Sequence, residues 1–111
     1  KWEFWYANGN IQESGNFIEG KMNGVWSFWD SLGELIKNGE YKNGRPIGEH
    51  NGWYSSGGRK WKMNYQFGKL HGLYISWYEN GQPEKSGDYK NGIKDGIWNY
   101  WDEDGKKVNI N

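Results

Sequence analysis

The stretch that decides the fold is residues 72–95, GLYISWYENGQPEKSGDYKNGIKD, because its pattern recurs along the chain every 24 residues. Tryptophan, glycine and aromatic positions repeat in one register without an insertion or deletion. The series are Trp5, Trp29, Trp53, Trp77 and Trp101; Gly24, Gly48, Gly72 and Gly96; and Phe17, Tyr41, Tyr65 and Tyr89. A period in this range is typical of stacked repeat proteins, in which each unit packs only against its neighbours.

One repeat contains the signals of two strands and two turns. Residues 73–78 are rich in aromatic and branched side chains, which favour a strand. Asn80-Gly81 follows as a hairpin signal, and a second extended run covers residues 84–90. Asn91-Gly92 then turns the chain towards the next repeat. Each repeat is therefore predicted to be an antiparallel hairpin, and no segment shows the 3.6-residue period of a helix.

The register of the hairpin follows if Asn80-Gly81 is a two-residue turn. Tyr74 then faces Gly87 across the pair. The same register pairs Gly72 with Tyr89, Trp26 with Gly39 and Trp2 with Gly15. An aromatic ring that lies over a cross-strand glycine compensates for the missing side chain, so we expect each ring to cover its partner glycine.

The third unit, residues 48–71, departs from the pattern in two predicted cross-strand pairs. Met63 replaces the usual glycine, and its partner shrinks from tryptophan to His50. Trp61 replaces a polar residue, and its partner Gly52 replaces phenylalanine. Both exchanges roughly keep the volume of the pair, as a packed surface requires. The exceptions therefore support the register.

The predicted fold is all-β, a single elongated antiparallel β-meander of about nine strands in one domain, residues 1–111. The units are partial at 1–23, full at 24–47, 48–71 and 72–95, and partial at 96–111. Repeats advance by two strand spacings, so the five periodic tryptophans are expected to form a ladder of about 38 Å along one face. The end strands are open edges, which we expect further repeats or another domain to cap.

Composition narrows the possible partners. The formal net charge is zero, and along the sequence Lys and Arg are interspersed with Asp and Glu. That distribution argues against nucleic acid and against strong attraction to anionic lipid. Apolar runs are too short to span a membrane, so no membrane insertion is expected. The chain has no cysteine and opens without methionine; we take it as a processed chain or a fragment, and the compartment stays undetermined.

No residue pattern predicts catalysis, a cofactor or a metal. The two histidines, His50 and His71, have no cysteine or second histidine at ligand spacing. His71 precedes a glycine and is expected to be a solvated turn residue. A phosphate-loop spacing ends at Met22, where the loop would need Ser or Thr. The acidic run 102–104 is expected to be a solvated turn and not a calcium site. The chain is therefore predicted not to be an enzyme.

Two segments resemble the MORN repeat in its bacterial variant: residues 39–44, GEYKNG, and 87–92, GDYKNG, each continuing to a further glycine four residues later. Residues 26–30 and 98–102 are similar to the variant labelled YwqK-type antitoxin. The resemblance implies an elongated sheet of hairpins that serves protein contact, and the label implies neutralisation of a partner toxin by direct binding. In eukaryotic relatives of the MORN repeat a lipid-binding role has been proposed. The resemblance implies no catalytic motif in this chain.

The predicted function is a non-enzymatic protein-interaction module, antitoxin- or immunity-like, that binds another protein through an aromatic sheet face. The third unit is the expected contact point. The candidate residues are Trp61, His50, Met63, Tyr54, Trp53, Trp77 and Tyr78. Two alternatives remain open at this stage. Trp61 is equally well explained as compensated drift opposite Gly52, and rows of aromatic rings also suit a carbohydrate or cell-wall ligand.

Overall fold

A computed structural model describes residues 1–108, which form one open antiparallel sheet and no helix. The strands are β1 (Trp2–Trp5), β2 (Ile11–Ile18), β3 (Lys21–Trp29), β4 (Leu35–Lys42), β5 (Arg45–Trp53), β6 (Arg59–Gln66), β7 (Lys69–Leu70), β8 (Gly72–Trp77), β9 (Pro83–Lys90), β10 (Ile93–Trp101) and β11 (Lys107–Val108). Apart from β7, which pairs with β6 alone, neighbours in sequence are neighbours in the sheet, so the predicted all-β meander is confirmed. No helix in residues 1–108 is long and apolar enough to cross a membrane.

The structure has eleven strands where about nine were predicted. One of the two extra strands arises at His71, which interrupts a strand and leaves β7 and β8 as separate pieces. The other is β11, a two-residue pair with the end of β10. The sheet measures 45 × 32 × 14 Å, so it is a single layer covered by its own side chains.

Two kinds of connection alternate, one at each end of the strands. Between β4 and β5, Asn43 and Gly44 both have positive φ, 53° and 81°, and Lys42 pairs directly with Arg45. These are the angles of a two-residue type I′ hairpin turn. Between β8 and β9 the loop has three residues, because the Tyr78 amide donates to the Gln82 carbonyl at 2.8 Å. The predicted two-residue turn at Asn80-Gly81 is therefore wrong.

The predicted strand pairs are nevertheless confirmed. A register shift between Ser76 and Trp77 absorbs the extra loop residue, so that the rest of β8 keeps the expected alignment with β9. A bulge of this kind adds one unpaired residue to one strand. The confirmed pairs are Tyr74–Gly87, Gly72–Tyr89, Trp26–Gly39, Trp2–Gly15, His50–Met63 and Gly52–Trp61.

The expectation that each ring covers its paired glycine holds for Trp61 over Gly52 and is wrong for Trp26. Trp26 pairs with Gly39 on β4, but its indole lies over Gly15 on β2, where an added Cβ would overlap the ring. Its Nε1–H donates to the Asn16 carbonyl at 3.0 Å. The cause is a bulge: Gly24 has a φ of 83°, and residues 24–26 stand opposite Gly15 alone. With no partner on β2, the Trp26 ring folds back onto that strand.

Three groups of contacting rings follow one another along the sheet, and together we call them the ring row. Its members are Trp2, Phe4, Phe17, Trp26, Phe28, Tyr41, His50, Tyr65, Tyr74, Tyr89, Trp98 and Tyr100. Many neighbours meet edge to face, as between Phe17 and Trp26 at 5.0 Å. Trp26 is 1 % exposed and is the most deeply buried large side chain in residues 1–108. The ring row is thus the core of this thin protein.

The five periodic tryptophans occupy a different place from the ring row. Each stands at the end of a strand, next to a three-residue loop, and within residues 1–108 none of the ring-to-ring contacts involves them. Their backbones instead join consecutive repeats. The Tyr54 hydroxyl donates to the Trp77 carbonyl at 2.7 Å. Tyr6 donates in the same way to the Trp29 carbonyl two repeats earlier, and Tyr78 to the Trp101 carbonyl one repeat later.

Candidate partner-binding surface

Three of the candidate residues meet in one hollow of about 180 Å³. His50 on β5 and Trp61 and Met63 on β6 line it. The facing wall comes from the second unit and from β6, and consists of Phe28, Lys37, Asn38, Tyr41 and Tyr65. In the third unit His50 stands where the other units carry a larger ring, whereas Met63 replaces glycine and Trp61 replaces lysine.

His50 forms the floor of this hollow. Its side chain is 6 % exposed, and its ring lies over Gly39 and meets Tyr41 and Tyr65 edge to face. Nε2 is 2.9 Å from the Glu40 carbonyl oxygen, which only accepts, so Nε2 carries the proton. Burial lowers the pKa of His50 below its ordinary value. The ring is therefore neutral at pH 7 and supports the hollow from beneath.

Trp61 is half-buried and takes part in two hollows at once. Its ring lies over Gly52, where an added Cβ would overlap it. In the second unit the corresponding pair is Phe28 and Lys37, whose ammonium sits 4.6 Å from the centre of the Phe28 ring. The second unit thus carries the aromatic ring of this pair on its first strand, and the third unit carries it on its second strand. The exchange of volume inferred from the sequence fits this packing, whereas a role for Trp61 in binding stays a prediction.

The second hollow, of about 350 Å³, brings Trp61 together with Trp53 and Tyr54. Ile36, Lys37, Ser55, Lys60 and Glu79 complete its wall. Lys60 places its ammonium 5.4 Å from the centre of the Tyr54 ring. Burial raises the pKa of the Tyr54 hydroxyl, which donates a hydrogen bond to the Trp77 carbonyl. The hollow combines an aromatic wall with a rim of mixed charge.

The structure does not bring Trp77 and Tyr78 into either hollow. The Arg59 guanidinium covers the Trp77 ring at 4.6 Å from its centre. Tyr78 lines a separate hollow of about 320 Å³ towards the far end of the sheet, beside Tyr100 and Trp101. The seven predicted residues therefore divide into a group of five around Trp61 and a pair one repeat away.

Sequence reasoning missed the contribution of the second unit. Lys37 pairs with Gly52 across β4 and β5, so it reaches the same hollows as Trp61. The signal was available, because the register that predicted each hairpin also fixes which strand of the previous hairpin lies alongside. The predicted register covers strand pairs within each hairpin and not the pairs between neighbouring hairpins.

Two polar sites differ in how well they were predicted. His71 lies between β7 and β8 and its Nδ1 accepts from the Asn91 amide at 3.4 Å in an exposed position, so it is not part of a turn, and its predicted contact with solvent stays a prediction. The turn after Trp101 agrees with the prediction, since Asp102 Oδ1 accepts the amides of Asp104 and Lys106. Residues 1–108 contain no group of three or more acidic or histidine side chains placed to hold a metal ion.

Two parts of the chain match the family model of the MORN repeat variant, residues 1–19 and residues 70–91. The first covers the β1–β2 hairpin, and the second covers the hairpin that ends in β9. No curated protein matches the chain. The chain is thus similar, in two of its hairpins, to a non-catalytic repeat module whose repeats are generally associated with binding to proteins or membranes.

Proposed function

We propose that this chain is a protein-binding module whose partner contacts the aromatic surface of the third unit. The observation that carries the proposal is the position of Trp61, a half-buried ring that forms a wall of both hollows. Met63, Trp53 and Tyr54 extend the surface around it, and His50 supports it from below. Tryptophan and tyrosine in such partly desolvated positions are the side chains that dominate binding energy at protein interfaces.

The chemistry of the two hollows defines the kind of partner surface. An aliphatic or aromatic side chain of the partner would pack against the apolar ring faces. Lys37 and Lys60 lie on the walls, within reach of a carboxylate beside that side chain. The only histidine that lines the two hollows is His50, which is buried and neutral. The mechanism that fits is steric: the rigid sheet covers a partner surface, as an antitoxin-like binder would.

A pair of substitutions separates a binding role of Trp61 from simple compensation. The double variant Gly52→Phe/Trp61→Lys copies the Phe28 and Lys37 pair of the second unit. Because that pair already fits the sheet, the double variant is expected to fold like the wild type. Gly52→Phe alone is expected to unfold the third unit, since the new ring would overlap Trp61.

The experiment is a pull-down from lysate of the source cells, with wild type, the double variant and Trp5→Ala compared by mass spectrometry. Trp5 is 57 % exposed on β1, far from the third unit, so its truncation is a matched loss of an aromatic ring. A protein recovered by wild type and by Trp5→Ala, and lost by the folded double variant, supports the proposal. Equal recovery by all three would show that Trp61 only packs the sheet.

The same samples address a carbohydrate ligand. If wild type recovers no protein but is retained on the insoluble envelope fraction, and soluble polysaccharide releases it, the protein-binding proposal is wrong.

A further inference from the structure

The zero net charge of the chain conceals opposite charges on the two edges of the sheet. At one end of the strands lie the two-residue turns, and we call this border of the sheet the turn edge. It consists of segments 18–21, 42–45, 66–69 and 90–93. Its charged residues are five cations, Lys21, Lys42, Arg45, Lys69 and Lys90, and one carboxylate, Glu19.

The opposite edge carries the three-residue loops and their flanks, segments 6–10, 30–34, 54–58, 78–82 and 102–106; we call it the loop edge. Its charged residues are six carboxylates, Asp30, Glu34, Glu79, Asp102, Glu103 and Asp104, and one cation, Lys106. Lys and Arg are interspersed with Asp and Glu along the sequence, but the meander sends successive connections to alternate edges and so separates the signs.

Phe67 is the exception among the two-residue turns of the turn edge. The first turn residue has positive φ in every repeat, and the others are Glu19, Asn43 and Asn91. Phe67 adopts a φ of 52° and is 81 % exposed. An aromatic residue in this left-handed conformation, with its ring in water, is unfavourable on both counts. Nothing in the packing of the fold accounts for its presence.

A shallow basin of about 380 Å³ lies beside Phe67. It is lined by Phe67 and Gly68 on one side, by Lys42, Asn43, Arg45 and Ile47 on the other, and by Lys21. The single salt bridge within residues 1–108 joins Lys62 and Glu49, so Lys21, Lys42 and Arg45 have no carboxylate partner there. The basin is therefore an apolar floor ringed by three unpaired cations.

The loop edge presents the complementary group at residues 30–34. Leu32 occupies the tip of that loop and is 81 % exposed, whereas the matching positions in repeats one and four are Asn8 and Asn80. Asp30 Oδ1 accepts the amides of Leu32 and Glu34, both at 3.0 Å, which holds the tip in place. Leu32 is thus an exposed aliphatic side chain on an ordered loop, with Asp30 and Glu34 on either side of it in the sequence.

We propose that a second copy of this chain docks its 30–34 loop in the Phe67 basin, with Leu32 against the Phe67 ring and its carboxylates among Lys21, Lys42 and Arg45. Both exceptional apolar residues then gain a partner, and the charges of the two edges match. The basin shares no lining residue with the hollows around Trp61, whereas the loop adjoins the second hollow, because Ser55 donates to Asp30 Oδ2 at 3.1 Å. A membrane is the less suitable occupant, since Glu19, Asp88 and Asp95 near the same edge would face anionic lipid.

The arrangement is heterologous, because each copy offers one loop and one basin. Copies therefore add head to tail, and the assembly grows as an open filament or closes as a ring if the rotation between copies allows it. One loop in one shallow basin buries much less than the roughly 1,200 Å² of a stable interface, so each contact is weak. Opposite charges outside the basin strengthen it at low salt, and screening weakens it as salt rises.

Two conservative variants test the contact without endangering the fold. Phe67→Asn copies Asn43 and Asn91, and Leu32→Asn copies Asn8 and Asn80. In sedimentation velocity at rising protein concentration and low salt, the wild type is expected to form growing species. Each variant alone is expected to associate at least about tenfold more weakly, since loss of one buried apolar side chain exceeds the energy of a factor of ten.

Mixing the two variants gives the decisive result. Phe67→Asn retains an intact loop, and Leu32→Asn retains an intact basin, so the mixture is expected to form a dimer that cannot grow further. The proposal is overturned if the wild type stays monomeric at about 1 mM, a concentration that detects even weak contacts. It is also overturned if either variant associates like the wild type, or if the mixture stays monomeric. Binding of monomers to anionic vesicles without self-association would assign the basin to a membrane instead.

Discussion

The second and third units solve the same packing problem with different residues. In each repeat a ring at one fixed position stands over the backbone of the preceding hairpin, and the four instances are Trp26 over Gly15, His50 over Gly39, Tyr74 near Met63 and Trp98 over Gly87. Over Gly15 and Gly87 the ring is an indole that also donates to a carbonyl. Over Gly39 it is the smaller ring of His50, whose strand partner is Met63 instead of glycine. In the fourth unit Met63 takes the position of these glycines, and the ring is Tyr74, which contacts Tyr89 and Trp98. The size of each ring therefore follows the residues that surround it.

The largest expected effect comes from adding a methyl group beneath an indole. Gly87→Ala places a Cβ inside the Trp98 ring, which has to leave its place and lose the hydrogen bond to the Asp88 carbonyl. We expect a loss of about 3 kcal/mol in the free energy of unfolding, the upper range for overpacking. Chemical denaturation monitored by tryptophan fluorescence measures it.

The matched control for that variant is Gly81→Ala. Gly81 has a φ of 89° but no atom within 4 Å of an added Cβ, so only backbone strain is expected, about 1–2 kcal/mol. If both variants lose the same stability, close packing of the ring on glycine is not what holds the regular units together.

A smaller effect is expected from His50, which takes the place of tryptophan in the third unit. Burial lowers its pKa in the folded protein, so the unfolded chain binds a proton first as the pH falls. The stability contributed by the neutral ring is complete above the ordinary value of 6.5 and is lost between that value and the lower folded pKa. The groups around the ring are Lys37, Glu40, Tyr41 and Tyr65.

Thermal unfolding across this pH range measures the loss, and NMR of the imidazole protons gives the folded pKa directly. His50→Tyr, which copies Tyr74, should remove the part of the pH dependence that belongs to this ring. An unchanged slope in that variant would mean that other groups cause it.

The strand pairs were predictable from the sequence because they depend on period and on hairpin symmetry. The 24-residue repeat fixed the alternation of strands, and the exchanges at Met63 and Trp61 fixed the register. The turn at Asn80-Gly81 was mistaken, because an Asn-Gly pair suits both a two-residue turn and a three-residue loop closed by a left-handed glycine.

The position of the rings was not predictable from pairing alone. The bulge at Gly24 turns Trp26 away from its paired glycine and onto the previous strand. An alternating sequence pattern assumes regular pairing, so it does not predict where a bulge occurs. The hollows around Trp61 were missed in part for the same reason, since Lys37 reaches them from the neighbouring hairpin.

The smallest expected effect concerns the Asn64 side chain, whose amide donates to the Leu73 carbonyl at 3.0 Å. Asn64→Ala is expected to cost about 0.5 kcal/mol, the low end for a partly exposed hydrogen bond. In the background Met63→Gly/Tyr74→Trp, the new indole is expected to donate to the main-chain carbonyl of Asn64, as Trp26 donates to the carbonyl of Asn16. Because the two hydrogen bonds have different acceptors, Asn64→Ala should cost the same in both backgrounds. Denaturation midpoints of the four proteins complete this cycle, and a cost that disappears when the indole is present would show that the two bonds substitute for each other.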